Sequence, residues 1–188
     1  IMFDFLKHNP AKKLNRNILI LGLLIFIPVY TYIFQLFGKM GIETSEFNLV
    51  WLSFDTRTFE AFFMQVQRLG QLETFIWTFS LNIISMTGFM FTFFALTLIL
   101  ARQLPESSRL SKSAYVFPII SVAIAVLDII PTIVFLMATS DLPELSNAVV
   151  YTISGGYVAR VILLYIVLLW ILLTTAILFL GKLRNRKT

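Results

Sequence analysis

Residues 116–138 read VFPIISVAIAVLDIIPTIVFLMA, twenty-three residues that carry a single charge, Asp128. At ~1.5 Å of rise per residue such a run crosses a ~30 Å hydrocarbon core as a helix. Three further runs have the same character: Ile18–Phe37, Phe75–Leu100 and Tyr157–Leu180. Four spans in one chain of 188 residues predict an all-α membrane protein, an antiparallel four-helix transmembrane bundle forming a single domain over residues 1–188. A hydrophobic share of 58% and a mean hydropathy of +0.86 place the chain outside the range of soluble domains of its size.

The composition excludes several chemistries. Cysteine is absent and histidine occurs once, at His8, so disulfides, thiolate metal sites and bis-histidine haem have no ligands here. No metal or cofactor is expected. Nor is a catalytic residue: the buried acid has no second acid, histidine or cysteine in register with which to share a proton.

Charge is distributed by loop. The leader, the 101–115 connection and the tail carry eleven cations: Lys7, Lys12, Lys13, Arg16, Arg102, Arg109, Lys112, Lys182, Arg184, Arg186 and Lys187. The opposite loops carry Lys39, Arg57 and Arg68, and most of the acids. The excess of Lys and Arg on cytoplasmic loops therefore predicts both termini in the cytoplasm, as in a multi-pass protein of a prokaryotic plasma membrane. Short basic clusters flanking spans suit anionic lipid headgroups, and no nucleic-acid partner is expected. The basic leader and first run resemble a signal peptide in outline. The run is long, however, and ends in Tyr32-Ile33-Phe34-Gln35 with no small-residue cleavage site, so it reads as a retained helix.

The segment 38–74 is too long for a simple connection. Its second half, DTRTFEAFFMQVQRLGQ from Asp55, puts Phe59, Phe62, Phe63, Val66 and Leu69 on one helical face. That predicts an external amphipathic helix N-capped by Asp55. The aromatic stretch Phe47–Phe54 is too short to span and suits the headgroup boundary. In the second external loop, a turn is expected at Asp141 and Pro143, and Gly155-Gly156 should mark the start of the last span.

Polar residues inside the spans point to a site. Asp128 falls near the bilayer midplane, where a carboxylate costs ~2.5–3.5 kcal/mol and faces the bundle interior. Pro131 follows and frees the Leu127 carbonyl. From Asp128 a polar or small stripe runs through Ser121, Ala125, Thr132 and Thr139. Thr78, Asn82, Ser85 and Thr92 form a second stripe, and Thr31, Gln35 and Gly38 a third. On the fourth span Gly156 and Arg160 share a face, with Tyr157 and Tyr165 nearby. Counting from the external helix ends, Asp128 lies about 15 Å deep, Asn82 about 10 Å and Arg160 about 5 Å, so Arg160 reaches the others only by extending inward. The expected ligand-binding set is Asp128, Asn82, Arg160, Gln35 and Thr132.

These features favour a small polytopic protein that binds a lipid-like or hydrophobic ligand, or an accessory subunit beside a larger membrane partner or in a homo-oligomer. A proton-coupled transporter or carrier using Asp128 is the alternative. A membrane isomerase-type enzyme with Asp128 as proton donor or acceptor comes third.

Overall fold

The computed structural model describes residues 2–105, 109–139, 142 and 144–184. Eight helices occur among them: α1 (Met2–His8), α2 (Lys12–Met40), α3 (Thr44–Leu52), α4 (Thr56–Arg68), α5 (Leu72–Gln103), α6 (Arg109–Ala114), α7 (Val116–Met137) and α8 (Asn147–Arg184). Four of them, α2, α5, α7 and α8, are long and apolar enough to cross a membrane, which makes this an all-α membrane bundle.

Three of the spans, α2, α5 and α8, outrun their hydropathy boundaries. The last one begins ten residues earlier than the apolar run, at Asn147, with the Ser146 hydroxyl accepting from the Val149 amide at 3.4 Å. Gly155 and Gly156 consequently lie inside the helix and do not start it. The expected turn at Asp141 and Pro143 lies outside the described residues.

Neighbouring spans pack in chain order, α2 on α5, α5 on α7 and α7 on α8, while the outer helices α2 and α8 scarcely meet. The bundle is thus a curved layer with α5 most enclosed and a lateral gap between its two edges. Close approach is built at glycines. A Cβ on Gly22 would stand 2.5 Å from the Thr92 amide nitrogen, and one on Gly156 would stand 2.3 Å from Pro131 Cγ. Lipid supplies no hydrophobic drive between spans, so such small-residue crossings are how they gain dispersion contacts.

At one end α3 and α4 fold across the bundle. Asp55 caps α4 as expected, its carboxylate accepting from the Thr58 amide at 3.1 Å and from the Thr58 hydroxyl at 2.7 Å. Gly41 and Gly70 follow α2 and α4 with positive φ, a conformation that other L residues adopt only at a cost. Phe59, Phe62, Phe63 and Val66 are buried, whereas Leu69, expected on the same face, turns outward at the end of the helix and is 53% exposed. The Phe47–Phe54 stretch has two faces: Leu49, Leu52 and Phe54 are exposed, and Val50 and Trp51 turn inward. Most of it is helix α3, and Trp51 is buried, stacked on Phe47 at 4.0 Å and packed against Phe59, Phe62, Phe75 and Phe79. Burying each such aromatic contributes about 1.5–3 kcal/mol relative to leaving it in water, so the cap is held by its own core.

The other end is closed as well. Leu6 of α1 packs with Leu98, Leu104, Tyr115 and Trp170, which brings both ends of the described chain to the same end of the bundle. The Arg102 guanidinium donates to the Leu6 carbonyl at 2.7 and 3.1 Å and to the Pro10 carbonyl at 2.9 Å, fastening α1 to α5. The 101–115 connection, expected as a simple turn, contains the short helix α6.

Candidate functional site

Beneath the cap, α2, α3, α5, α7 and α8 enclose a cavity of about 320 Å³. Its walls are aromatic, with Phe37, Phe47, Trp51, Phe79 and Phe135 among the lining side chains. Its polar residues are Asn48, Thr78, Asn82, Asp128, Thr132, Tyr157 and Arg160.

Asp128 is the hub. Its side chain is 10% exposed, and Arg160 Nη1 donates to Oδ1 in an ion pair. Asn82 Nδ2 donates to Oδ2 at 2.6 Å and approaches Thr132 Oγ1 at 3.4 Å. The Thr132 hydroxyl in turn donates to the Asp128 backbone carbonyl at 2.7 Å. A carboxylate in the membrane interior is costly unless paired and hydrogen-bonded, and here it is both.

Four of the five expected ligand-binding residues therefore meet: Asp128, Asn82, Arg160 and Thr132. Gln35 does not join them. It is exposed on α2 and absent from the cavity wall, as the whole Thr31–Gln35–Gly38 stripe faces outward. Around the cavity the inward positions of α2 are Ile33 and Leu36, and Thr31 and Gln35 lie on its outer face, whereas Asn15, farther along α2, is buried and donates to the Ala95 carbonyl at 3.1 Å. Within the other two stripes, Thr78, Ser85, Thr92, Ser121, Ala125 and Thr132 are buried.

The depths also change. With α8 starting at Asn147, Arg160 lies thirteen residues along it, about 20 Å from that helix end. Asn82, ten residues into α5, and Asp128, nine residues before the end of α7, each lie about 14–15 Å along their helices. Arg160 is thus a deep interior residue and needs no long inward reach. Gly156 sits one turn earlier on α8, and the contact it permits with Pro131 and the Leu127 carbonyl sets the spacing at which the pair closes.

Two residues enter that sequence reasoning had placed elsewhere or left at the margin. The Tyr157 hydroxyl donates to Asn48 Oδ1 at 2.7 Å, tying α3 to α8 over the mouth of the cavity. The Arg160 guanidinium also lies 4.9 Å from the centroid of the Tyr157 ring. Asn48 gave one signal, an amide within an aromatic run, but only the folded cap brings it over the bundle. Among the described residues no group of three or more His, Asp or Glu side chains comes together in a way that would hold a metal ion.

Comparison with family models, characterised proteins and solved structures finds no match.

Proposed function

We propose that the protein binds a lipid-like amphiphile within the membrane, in the cavity beneath α3. The observation that carries this reading is the cavity itself: about 320 Å³ of space, walled by aromatic rings, with one hydrogen-bonded polar cluster in its lining. Small-molecule sites have this make-up, a mostly apolar wall with a few placed polar groups. The other half of the bundle is filled, with Phe89 stacked on Phe93 at 4.1 Å, Phe117 on Trp170 at 4.2 Å, and Ile124 and Val167 buried. A pocket open in one half and packed in the other favours holding a ligand over carrying one across.

The charge asymmetry orients the molecule in this reading, with α3 and α4 on the side away from the cytoplasm. Because the chain has no cysteine, single cysteines introduced at Lys39 and at Lys182 report sidedness directly. An impermeant maleimide should label Lys39→Cys in intact cells, and Lys182→Cys only after lysis.

Lipid analysis of the protein purified in mild detergent tests the binding reading. The unaltered chain should retain one lipid species in near-stoichiometric amount. Ile153→Phe, which adds bulk to the cavity wall, should lose it while keeping its helicity. Retention by that variant equal to the unaltered chain, or no enrichment in either, refutes the reading.

A further inference from the structure

We infer that the cavity takes an amphiphile with an uncharged, hydroxyl-bearing head, its tail leaving sideways between α2 and α8. The inference rests on the lipid-binding reading and specifies its ligand.

Charge balance in the cavity wall favours an uncharged head. The one acid and the one cation of the cavity wall are paired with each other, so the site is neutral before any ligand arrives. A phosphate or carboxylate head seated against Arg160 would meet Asp128 in the same cluster, and an ammonium seated against Asp128 would meet Arg160. Either would also lose its hydration shell without a counter-charge of its own, which is the expensive way to bury an ion. An uncharged head meets only hydrogen-bonding groups.

Hydrogen bonds left unmade in the wall favour a hydroxyl. An ionised carboxylate only accepts, so the Asn82 amide must point its nitrogen at Asp128, which fixes the side-chain orientation. Both Asn82 N–H groups then have partners, Asp128 and Thr132, and its carbonyl oxygen has none among the described residues. On the donor side, the amide nitrogen of Asn48, which lines the cavity, makes no hydrogen bond to a described residue, its oxygen being taken by Tyr157. The cavity thus offers an unanswered acceptor on Asn82 and an unanswered donor on Asn48. A hydroxyl donates one hydrogen bond and accepts others, so it answers both kinds. A ketone or ester carbonyl accepts only and leaves Asn82 unpaired.

The shape of the bundle favours a sideways route for the tail. The space is at the small end for a ligand site, enough for a head and a short length of chain. The cap closes the end of the bundle through Trp51 and the Asn48–Tyr157 bond. Laterally, Tyr30 and Phe34 of α2 line the cavity yet are 50% and 64% exposed, and α2 and α8, which both contribute to its wall, scarcely meet. An acyl or isoprenoid tail passing there stays in hydrocarbon along its whole length.

Trp51 in the cavity wall supplies the readout. Trp77→Phe/Trp170→Phe leaves it as the only tryptophan. In vesicles, its quenching is followed with three probes bearing the same dibrominated stearyl-length chain: a monoglyceride, a lysophosphatidic acid and a primary amine. Unbrominated monoglyceride is the competitor. The monoglyceride should quench saturably, at a bilayer mole fraction at least about tenfold below either charged probe, and the competitor should reverse it. Native mass spectrometry of the unaltered chain with the same three lipids should give the same order, which covers the case of a tryptophan variant that folds poorly. A charged probe that matches or beats the monoglyceride overturns the head-group inference and leaves lipid binding standing. Absence of saturable quenching and of adducts with all three probes overturns both.

Discussion

Replacing Arg160 by methionine should damage the fold more than any loss of packing accounts for, because it strands a charge. The Asp128 side chain is 10% exposed and that of Arg160 is 22% exposed, so neither is well solvated when alone. Two unit charges about 4 Å apart attract by about 4 kcal/mol at an effective dielectric of about 20, and removing one member of a buried pair costs about 3–5 kcal/mol. Arg160→Met should fall in that range. Asp128→Asn should cost less, about 2–3 kcal/mol, since the remaining cation is the more exposed partner and the new amide still accepts from Asn82. The double variant Asp128→Asn/Arg160→Met removes both charges and should recover most of the loss, ending about 1–2 kcal/mol below the parent. The assay is reversible unfolding in mixed micelles, followed by helical circular dichroism at several denaturant concentrations. The two single losses should together exceed the double loss by several kcal/mol, the signature of direct coupling. Additivity to within about 0.5 kcal/mol would refute the reasoning, since that is how independent sites behave.

Three further outcomes follow from the packing and the caps. Gly156→Ala should destabilise by about 1–3 kcal/mol in the same unfolding assay, because its Cβ would stand 2.3 Å from Pro131 Cγ, whereas Gly155→Ala, with nothing within 4 Å, should be near neutral. The Thr58 hydroxyl, followed by the Thr58 amide, holds the Asp55 carboxyl below its ordinary value of 3.8. A carboxyl with a lowered folded pKa stabilises α4 above its unfolded pKa and loses that contribution as pH falls through the folded one. Amide exchange in α4 should therefore accelerate below about pH 4 relative to the spans, and Asp55→Asn should flatten that dependence. Arg102→Ala should release α1, read as faster proteolytic cleavage between His8 and Lys12 with the four spans intact, since the Arg102 guanidinium joins the Leu6 and Pro10 carbonyls to α5.

The four spans were legible without coordinates because hydropathy is a local property: a run of apolar side chains needs the membrane wherever its neighbours lie. The amphipathic α4 and its Asp55 cap were legible for the same reason, as both depend on residues within a few positions of one another. Asp128 announced itself through the cost of its charge, and helical period tied Thr132 to it. Depth was misjudged for Arg160 because hydropathy marks where a run becomes apolar, and α8 begins ten residues sooner in polar sequence.

Periodicity finds a stripe but not the direction in which it faces. Gln35 and Asn82 both sit on plausible stripes, and only the packing of α2 on α5 turns the first outward, and that of α5 on α7 turns the second onto Asp128. The Asn48–Tyr157 bond joins residues 109 positions apart, and the burial of Trp51 and the gap between α2 and α8 likewise depend on elements distant in the chain. The chain alone determined that this is a four-span membrane protein with one expensive acid in its third span. The tertiary structure decided which residues pair with that acid and that an aromatic-walled cavity lies beside it. Both are relations between helices, set by close approach at a few glycines, and no single helix contains them.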